Sequence, residues 1–238
     1  KAHLPAGWRN RFAAAGGILF FAADDGVNGR ELWRTDGTEA GTVLVRDVQI
    51  EGSSSPSELS AVGGVVYFSA DNGVKGRELW KSDGTEAGTV LVKDVNGAGG
   101  AFPSELTIFN GMVYFSANEE ATGQELWKTD GTDAGTALVT DIWVNGHSSP
   151  QYLTVAGGFL FFSAVEPGHG QELWRTDGTA AGTVLVKDIR TTGNSFPMAL
   201  AAIGNTLYFS ADDGATGREL WKSDGTAAGT VRVADIVA

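Results

Sequence analysis

The tripeptide Glu-Leu-Trp returns five times, with tryptophans at Trp33, Trp80, Trp127, Trp174 and Trp221, each 47 residues after the one before. No insertion breaks the spacing, so whatever one copy folds into, the chain must pack five of it. All five copies also keep the counterparts of Phe21, Ala23, Gly29, Asp36, Gly37, Thr38, Ala40, Gly41, Thr42, Val45 and Asp47. Recurrence inside one chain reports what each structural unit needs before it reports any function.

Each copy holds four strand-like runs, clearest in the second at 57–62, 65–70, 77–82 and 89–95. The first two runs are joined by Gly63 and Gly64, matched elsewhere by Gly16 and Gly17, Asn110 and Gly111, Gly157 and Gly158, and Gly204 and Asn205. Two-residue hairpin turns need positive φ, which Gly and Asn supply at least cost. The last two runs are joined by Asp-Gly-Thr-x-Ala-Gly-Thr, where Asp83 can accept from nearby amides and Gly84 or Gly88 takes a left-handed conformation. The longest connection, 49–57, leads to the next copy and has proline counterparts at Pro56, Pro103, Pro150 and Pro197.

A long connection suits a chain leaving the outer edge of one sheet for the inner strand of the next. Four-stranded units of this length are the pattern of propeller blades, and four to eight blades close a ring. The expected fold is therefore all-β, a closed, monomeric five-bladed β-propeller with four antiparallel strands per 47-residue blade. The blades fall at about 9–48, 56–95, 103–142, 150–189 and 197–236, with 1–8 an N-terminal segment at the ring closure. Trp8 and Ile236 are the expected seam residues. Each recurrent Trp is expected to be a wedge between blades; the alternative is an exposed sugar platform.

Composition narrows the function. Hydrophobic residues at 42% provide a core, while a formal net charge of −12 and no Lys/Arg cluster exclude a phosphate backbone as partner. No run reaches the roughly 18 apolar residues of a membrane-inserting span. With no cysteine there is no thiol chemistry or disulfide.

The recurring Glu-Leu-Trp-x-x-Asp-Gly-Thr-x-x-Gly-Thr resembles the ELWxxDGT repeat of large bacterial secreted and cell-surface proteins, and every copy matches at Glu31, Leu32, Trp33, Asp36, Gly37, Thr38, Gly41 and Thr42 or their counterparts. The resemblance covers residues 9–238 and implies an extracellular or cell-surface, propeller-like repeat. Period and blade count are also similar to those of tachylectin, a five-bladed sugar-binding propeller, as architecture alone.

Within the motif, Asp36, Asp83, Asp130, Asp177 and Asp224 read as turn formers. If Thr35 pairs with Thr42, Glu31 faces Arg46 and Arg30 faces Asp47, a cross-strand charge pairing that explains the recurrent charges. Variation concentrates in two loop sets on one face. They carry Phe102, Trp143, His147 and Phe196 in one set, and Asp25, Asn72, Glu119, Glu166 and Asp213 in the other. Rings beside carboxylates and amides suit carbohydrates. The expected function is thus an extracellular, non-enzymatic module recognising a glycan or a cell-surface protein through these loops; the alternative is an adhesive protein-contact module. Two enzyme-like hints remain. Glu58 and Glu105 occupy equivalent inner-strand positions, with Arg11, Tyr152 and Ala199 completing the set, as a glycosidase would need. His147, Glu166 and His169 could ligate a metal, and calcium could use loop carboxylates, but no loop has the spacing of a known calcium site, so no cofactor is expected.

Overall fold

The computed structural model describes residues 11–97 and 99–236, so the 1–8 segment and Trp8 lie outside it. Twenty strands form five four-stranded sheets, and no helix occurs among the described residues. The described residues fall into two compact units, one within 11–120 and 129–136, the other within 121–128 and 137–236.

In the first unit, β1 (Phe12–Ala15), β2 (Ile18–Asp24), β3 (Arg30–Thr35) and β4 (Val43–Arg46) make one meander. A second comprises β5 (Ser57–Val62), β6 (Val65–Asp71), β7 (Arg77–Ser82) and β8 (Val90–Lys93). A third sheet has the order β12-β11-β10-β9; its β9 (Ser104–Phe109) and β10 (Met112–Glu119) belong to the first unit, and its β11 (Gly123–Thr129), but for the last residue, and β12 (Ala137–Thr140) to the second. The second unit holds two further meanders. One comprises β13 (Gln151–Ala156), β14 (Phe159–Glu166), β15 (Gly170–Thr176) and β16 (Val184–Lys187). The other comprises β17 (Met198–Ile203), β18 (Thr206–Asp212), β19 (Arg218–Ser223) and β20 (Val231–Arg232).

Local chemistry explains these boundaries. The hairpin between β5 and β6 turns on Gly63 and Gly64 at φ 59° and 84°. In the motif turn Gly84 takes the left-handed conformation, at φ 91°, whereas Gly88 has a different task. A Cβ on Gly88 would sit 2.1 Å from the Asp83 carboxylate, so the residue is small because the cap presses on it. That cap is repeated throughout: Asp83 Oδ1 accepts from the Thr85 amide at 2.9 Å and from its hydroxyl at 2.7 Å, and Thr85 Oγ1 accepts from the Gly88 amide.

The expected facing of Glu31 with Arg46 is corrected. Thr35 and Thr42 do meet, hydroxyl to hydroxyl at 2.7 Å, but Trp33 pairs with Leu44 and Leu32 with Arg46. Val45 is left over as a bulge residue and turns into the core, as Val92 and Val186 do in their sheets. A bulge shifts every later residue by one place, so Glu31 and Arg46 part company. The basic side chains instead reach the motif turn of the following repeat. Arg46 donates to the Thr89 carbonyl at 2.6 Å and Lys187 to that of Thr230 at 2.8 Å. Lys81 donates to the Gly131 carbonyl at 2.8 Å and Lys128 to that of Gly178 at 2.7 Å.

Two of the recurrent tryptophans, Trp80 and Trp221, are wedges between sheets, while Trp33 and Trp174 are half-buried. Trp80 packs with Leu59, Val66 and Phe68 of its own sheet against Phe20, Leu32 and Val45 of the sheet before it. Trp221 does the same against Phe161, Leu173 and Val186. Trp80→Ala is therefore expected to destabilise the protein by about 3–5 kcal/mol, the range for deleting a buried large aromatic. Urea unfolding of the two proteins measures it, and a loss below about 1 kcal/mol, the scale of an exposed-site change, would show that the indole is not holding the sheets together.

Candidate functional site

The variable loops are organised by the glutamate of the recurring Glu-Leu-Trp. Glu31, Glu78, Glu125 and Glu172 are fully buried, and Glu219 nearly so. The first four carboxylates accept backbone N–H groups from the long connection that follows their own sheet, and Glu219 accepts the Ile236 amide at 3.1 Å. Glu125 takes the amide of Ile142 at 3.2 Å and that of Ser148 at 2.9 Å, and the Ser148 hydroxyl at 2.5 Å. Glu172 takes those of Ile189 and Ser195 in the same way, and Glu31 those of Val48 and Ser54. In the second repeat Ala101 replaces the serine and only its amide, at 2.9 Å, remains.

The clamped residue then joins one repeat to the next. The Ser54 carbonyl accepts from Asp71 at 3.0 Å, while the following amide, Ser55, donates to the Arg30 carbonyl at 2.9 Å. Ala101, Ser148 and Ser195 carry the same bonds to Asn118, Val165 and Asp212. The residue after the clamp is left-handed each time, at Ser55, Phe102, Ser149 and Phe196, with φ between 47° and 51°. Non-glycine residues hold that conformation at a cost of about 1–3 kcal/mol, and only where surrounding bonds over-determine it. A second left-handed set, Glu58, Glu105, Tyr152 and Ala199, sits at a register shift in β5, β9, β13 and β17.

Against this frame the predicted site residues separate. Phe102 and Phe196 are 62% and 42% exposed at their left-handed positions. Trp143 instead covers its own turn: its carbonyl accepts the Gly146 amide at 2.8 Å, and a Cβ on Gly146 would lie 2.4 Å from the indole. His147 Nδ1 accepts the Gln124 amide at 2.9 Å, the task of Ser53 Oγ and Asn194 Oδ1 in other repeats. Asp25, Asn72 and Asp213 cap the backbone of their own loops through Val27 and Asn28, Val74 and Lys75, and Ala215 and Thr216. Those amide bonds, Asn28 foremost at Asp25 and Thr216 at Asp213, hold both carboxyls below the usual range. Glu166 Oε2 meets His169 Nδ1 at 2.7 Å, which lowers the acid and raises the imidazole. Glu119 ends β10. The triad of His147, Glu166 and His169 is thus reduced to one pair, and no group of three metal-ligating side chains occurs among the described residues. The inner-strand carboxylates are also engaged, for Glu58 Oε2 accepts the Glu105 amide at 3.1 Å.

The buried glutamate is what sequence reasoning missed. Its signal was present, since Glu31, Glu78, Glu125, Glu172 and Glu219 recur without exception, yet charge pairing within one sheet absorbed it. Burial, opposed by the N–H donors, pushes Glu78 and Glu172 up to about 7. The turn aspartates move the other way, each held low by the hydroxyl and amide of the threonine two residues on. The linkage has two arms. Stability from a raised glutamate is complete below about pH 4.5 and is lost as pH rises through about 7; that from a lowered aspartate is present above its unfolded value and lost on acidification. The melting temperature is expected to peak between the two arms, in mildly acidic solution, and to fall toward pH 8. A melting temperature that climbs steadily from pH 5 to pH 8 would contradict this assignment.

No protein-family model matches the chain, and no curated protein matches it either. Solved structures do. A prolyl endopeptidase, from work on inter-domain dynamics in catalysis and specificity, is similar over 90% of this chain and 32% of its own, with 14% identity and a TM-score of 0.55. Prolyl oligopeptidase B from Galerina marginata, bound to a hydrolysis and macrocyclization substrate, is similar over 95% of this chain and 33% of its own, at 11% identity and a TM-score of 0.57. The chain thus spans about a third of their length, and the likeness is one of fold, to their propeller domains. The expectation of a carbohydrate- or surface-binding, lectin-like module, with its adhesive and glycosidase alternatives, is corrected: the propellers that this fold resembles belong to peptidases. Much of the polar chemistry read as a sugar site is spent on the loops' own backbone.

Proposed function

We propose that the chain is a five-bladed β-propeller serving as the non-catalytic module of a peptidase-type assembly, with the hydrolytic centre supplied by another domain. The observation that carries the reading is the match to prolyl peptidases, which covers nearly all of this chain and only a third of theirs. Its own side chains support a non-catalytic role. The sequence has no Ser-His-Asp order, His147 is tied to a backbone amide, and Glu58 is tied to Glu105. The five sheets follow the propeller pattern of consecutive antiparallel meanders. The same reading keeps the chain free of any cofactor and, through its likeness to ELWxxDGT repeats, outside the cell or on its surface.

Two measurements test it. Purified alone, the chain is expected to leave a chromogenic prolyl-peptide substrate uncleaved. The gene around this segment, or a partner recovered with it by cross-linking in its native source, is expected to carry a hydrolase domain. Turnover by the chain alone, or a gene and cross-linked partner set without any hydrolase, would overturn the proposal.

A further inference from the structure

Two polar atoms of the recurring motif have no hydrogen-bond partner among the described residues. The indole Nε1 of Trp33, Trp80, Trp127 and Trp174 is buried and unbonded, and so is Oδ1 of Asp47, Asp94, Asp141 and Asp188. Both residues recur in all five copies, and neither the glutamate clamp nor the capped turn uses those atoms. An indole N–H can only donate and a carboxylate oxygen can only accept. Each of the first four repeats therefore hides one donor and one acceptor, which is costly unless something bonds them. In the fifth, Trp221 repeats the unbonded Nε1, but Asp235 is exposed and its Oδ2 meets Arg232 at 3.3 Å.

The two atoms belong to one face of one hairpin. Trp80 pairs with Leu91 and Leu79 with Lys93, with Val92 bulged between them. Carried one place further, that register sets Asp94 beside Glu78, and alternation puts Glu78 and Trp80 on the same face. Burial is the main cause that raises Glu78, Glu125 and Glu172, and the charges of Asp94, Asp141 and Asp188 add to it, as close neighbours do. Trp80 and Asp94 are thus diagonal neighbours, with Cβ atoms about 7 Å apart, which an aromatic side chain can span. The other oxygen of Asp94 is engaged separately, Oδ2 meeting Lys75 Nζ at 2.6 Å, so Oδ1 is the one turned inward.

We infer that each of the first four repeats binds one buried water molecule between its recurrent Trp and Asp, accepting from the indole N–H and donating to the aspartate Oδ1. The pair selects water by its polarity. A cation is repelled by the N–H and an anion by the carboxylate, whereas water satisfies both and keeps one hydrogen for a further acceptor, in line with the roughly three bonds of a typical buried water. The bridge also accounts for the two fixed residues. Phe at the Trp position would fill the same wedge without a donor, and the bulge beside the Asp interrupts the strand ladder where the water restores a link.

A crystal structure of the chain that resolves ordered solvent tests this without any substitution. A solvent peak is expected within about 3 Å of both Trp80 Nε1 and Asp94 Oδ1, and at the equivalent pairs in the other three repeats. No peak, a peak touching one atom only, or a direct bond from either atom to another protein group overturns the inference. In solution, with the tryptophans labelled with nitrogen-15, Trp80→Phe assigns the Trp80 indole resonance by its loss. That N–H proton is expected to show a dipolar cross-peak to a long-lived water. Asp94→Val, of similar size but without an acceptor, is expected to abolish it. Absence of the cross-peak in the unsubstituted protein, or its survival in Asp94→Val, would equally overturn the bridge.

Discussion

A carboxylate buried inside each repeat sets the positions of most of the backbone around it. Among the described residues no cation pairs with Glu125; what its carboxyl has is a set of donors from the connection that leaves its own sheet. A buried charge is tolerable only when hydrogen-bonded, and buried amides are tolerable only when accepted. The two requirements satisfy each other, so the long connection has one geometry in every repeat despite sharing few residues. The left-handed residue after the clamp, the join to the next sheet and the placement of the incoming Trp all follow from that geometry.

The same arrangement explains why the loops vary freely. Once the glutamate holds the connection by its backbone, the side chains of Ser53, His147 and Asn194 need only accept one amide, and Gly100 stands at the same place with no side chain at all. Variation there marks tolerance as readily as recognition. That is why a face rich in aromatics and carboxylates looks like a sugar site in the sequence and resolves into caps and turn covers in the structure. Phe102 and Phe196, fixed in left-handed backbone and still exposed, are the aromatic residues of that set that retain an outward surface.

Much of the architecture was legible because it depends on local rules. Positive-φ turns at Gly63 and Gly64, the capped Asp83 turn and the apolar run from Val66 to Ala70 gave the boundaries of β5, β6 and β7 to within a residue. β8 ended early because Val95 leaves the sheet to donate to Glu78. The register of β3 against β4 was not legible, since a bulge at Val45 has no residue signature of its own. One misplaced residue turned Glu31 from a loop clamp into an apparent ion pair. Function was less legible still, because the long-range bonds that consume His147 and Glu58 join residues 23 and 47 apart.

Hydrogen exchange tests the clamp most directly. The amides of Ser54, Ser148 and Ser195 lie outside any strand, and a free loop amide exchanges quickly. The clamp predicts that they are protected like strand amides in the intact protein. It also predicts that Glu125→Ala releases Ile142 and Ser148 while leaving Ser54 and Ser195 protected. Rapid exchange of all three serine amides in the intact protein, or no local change in the variant, would contradict the account.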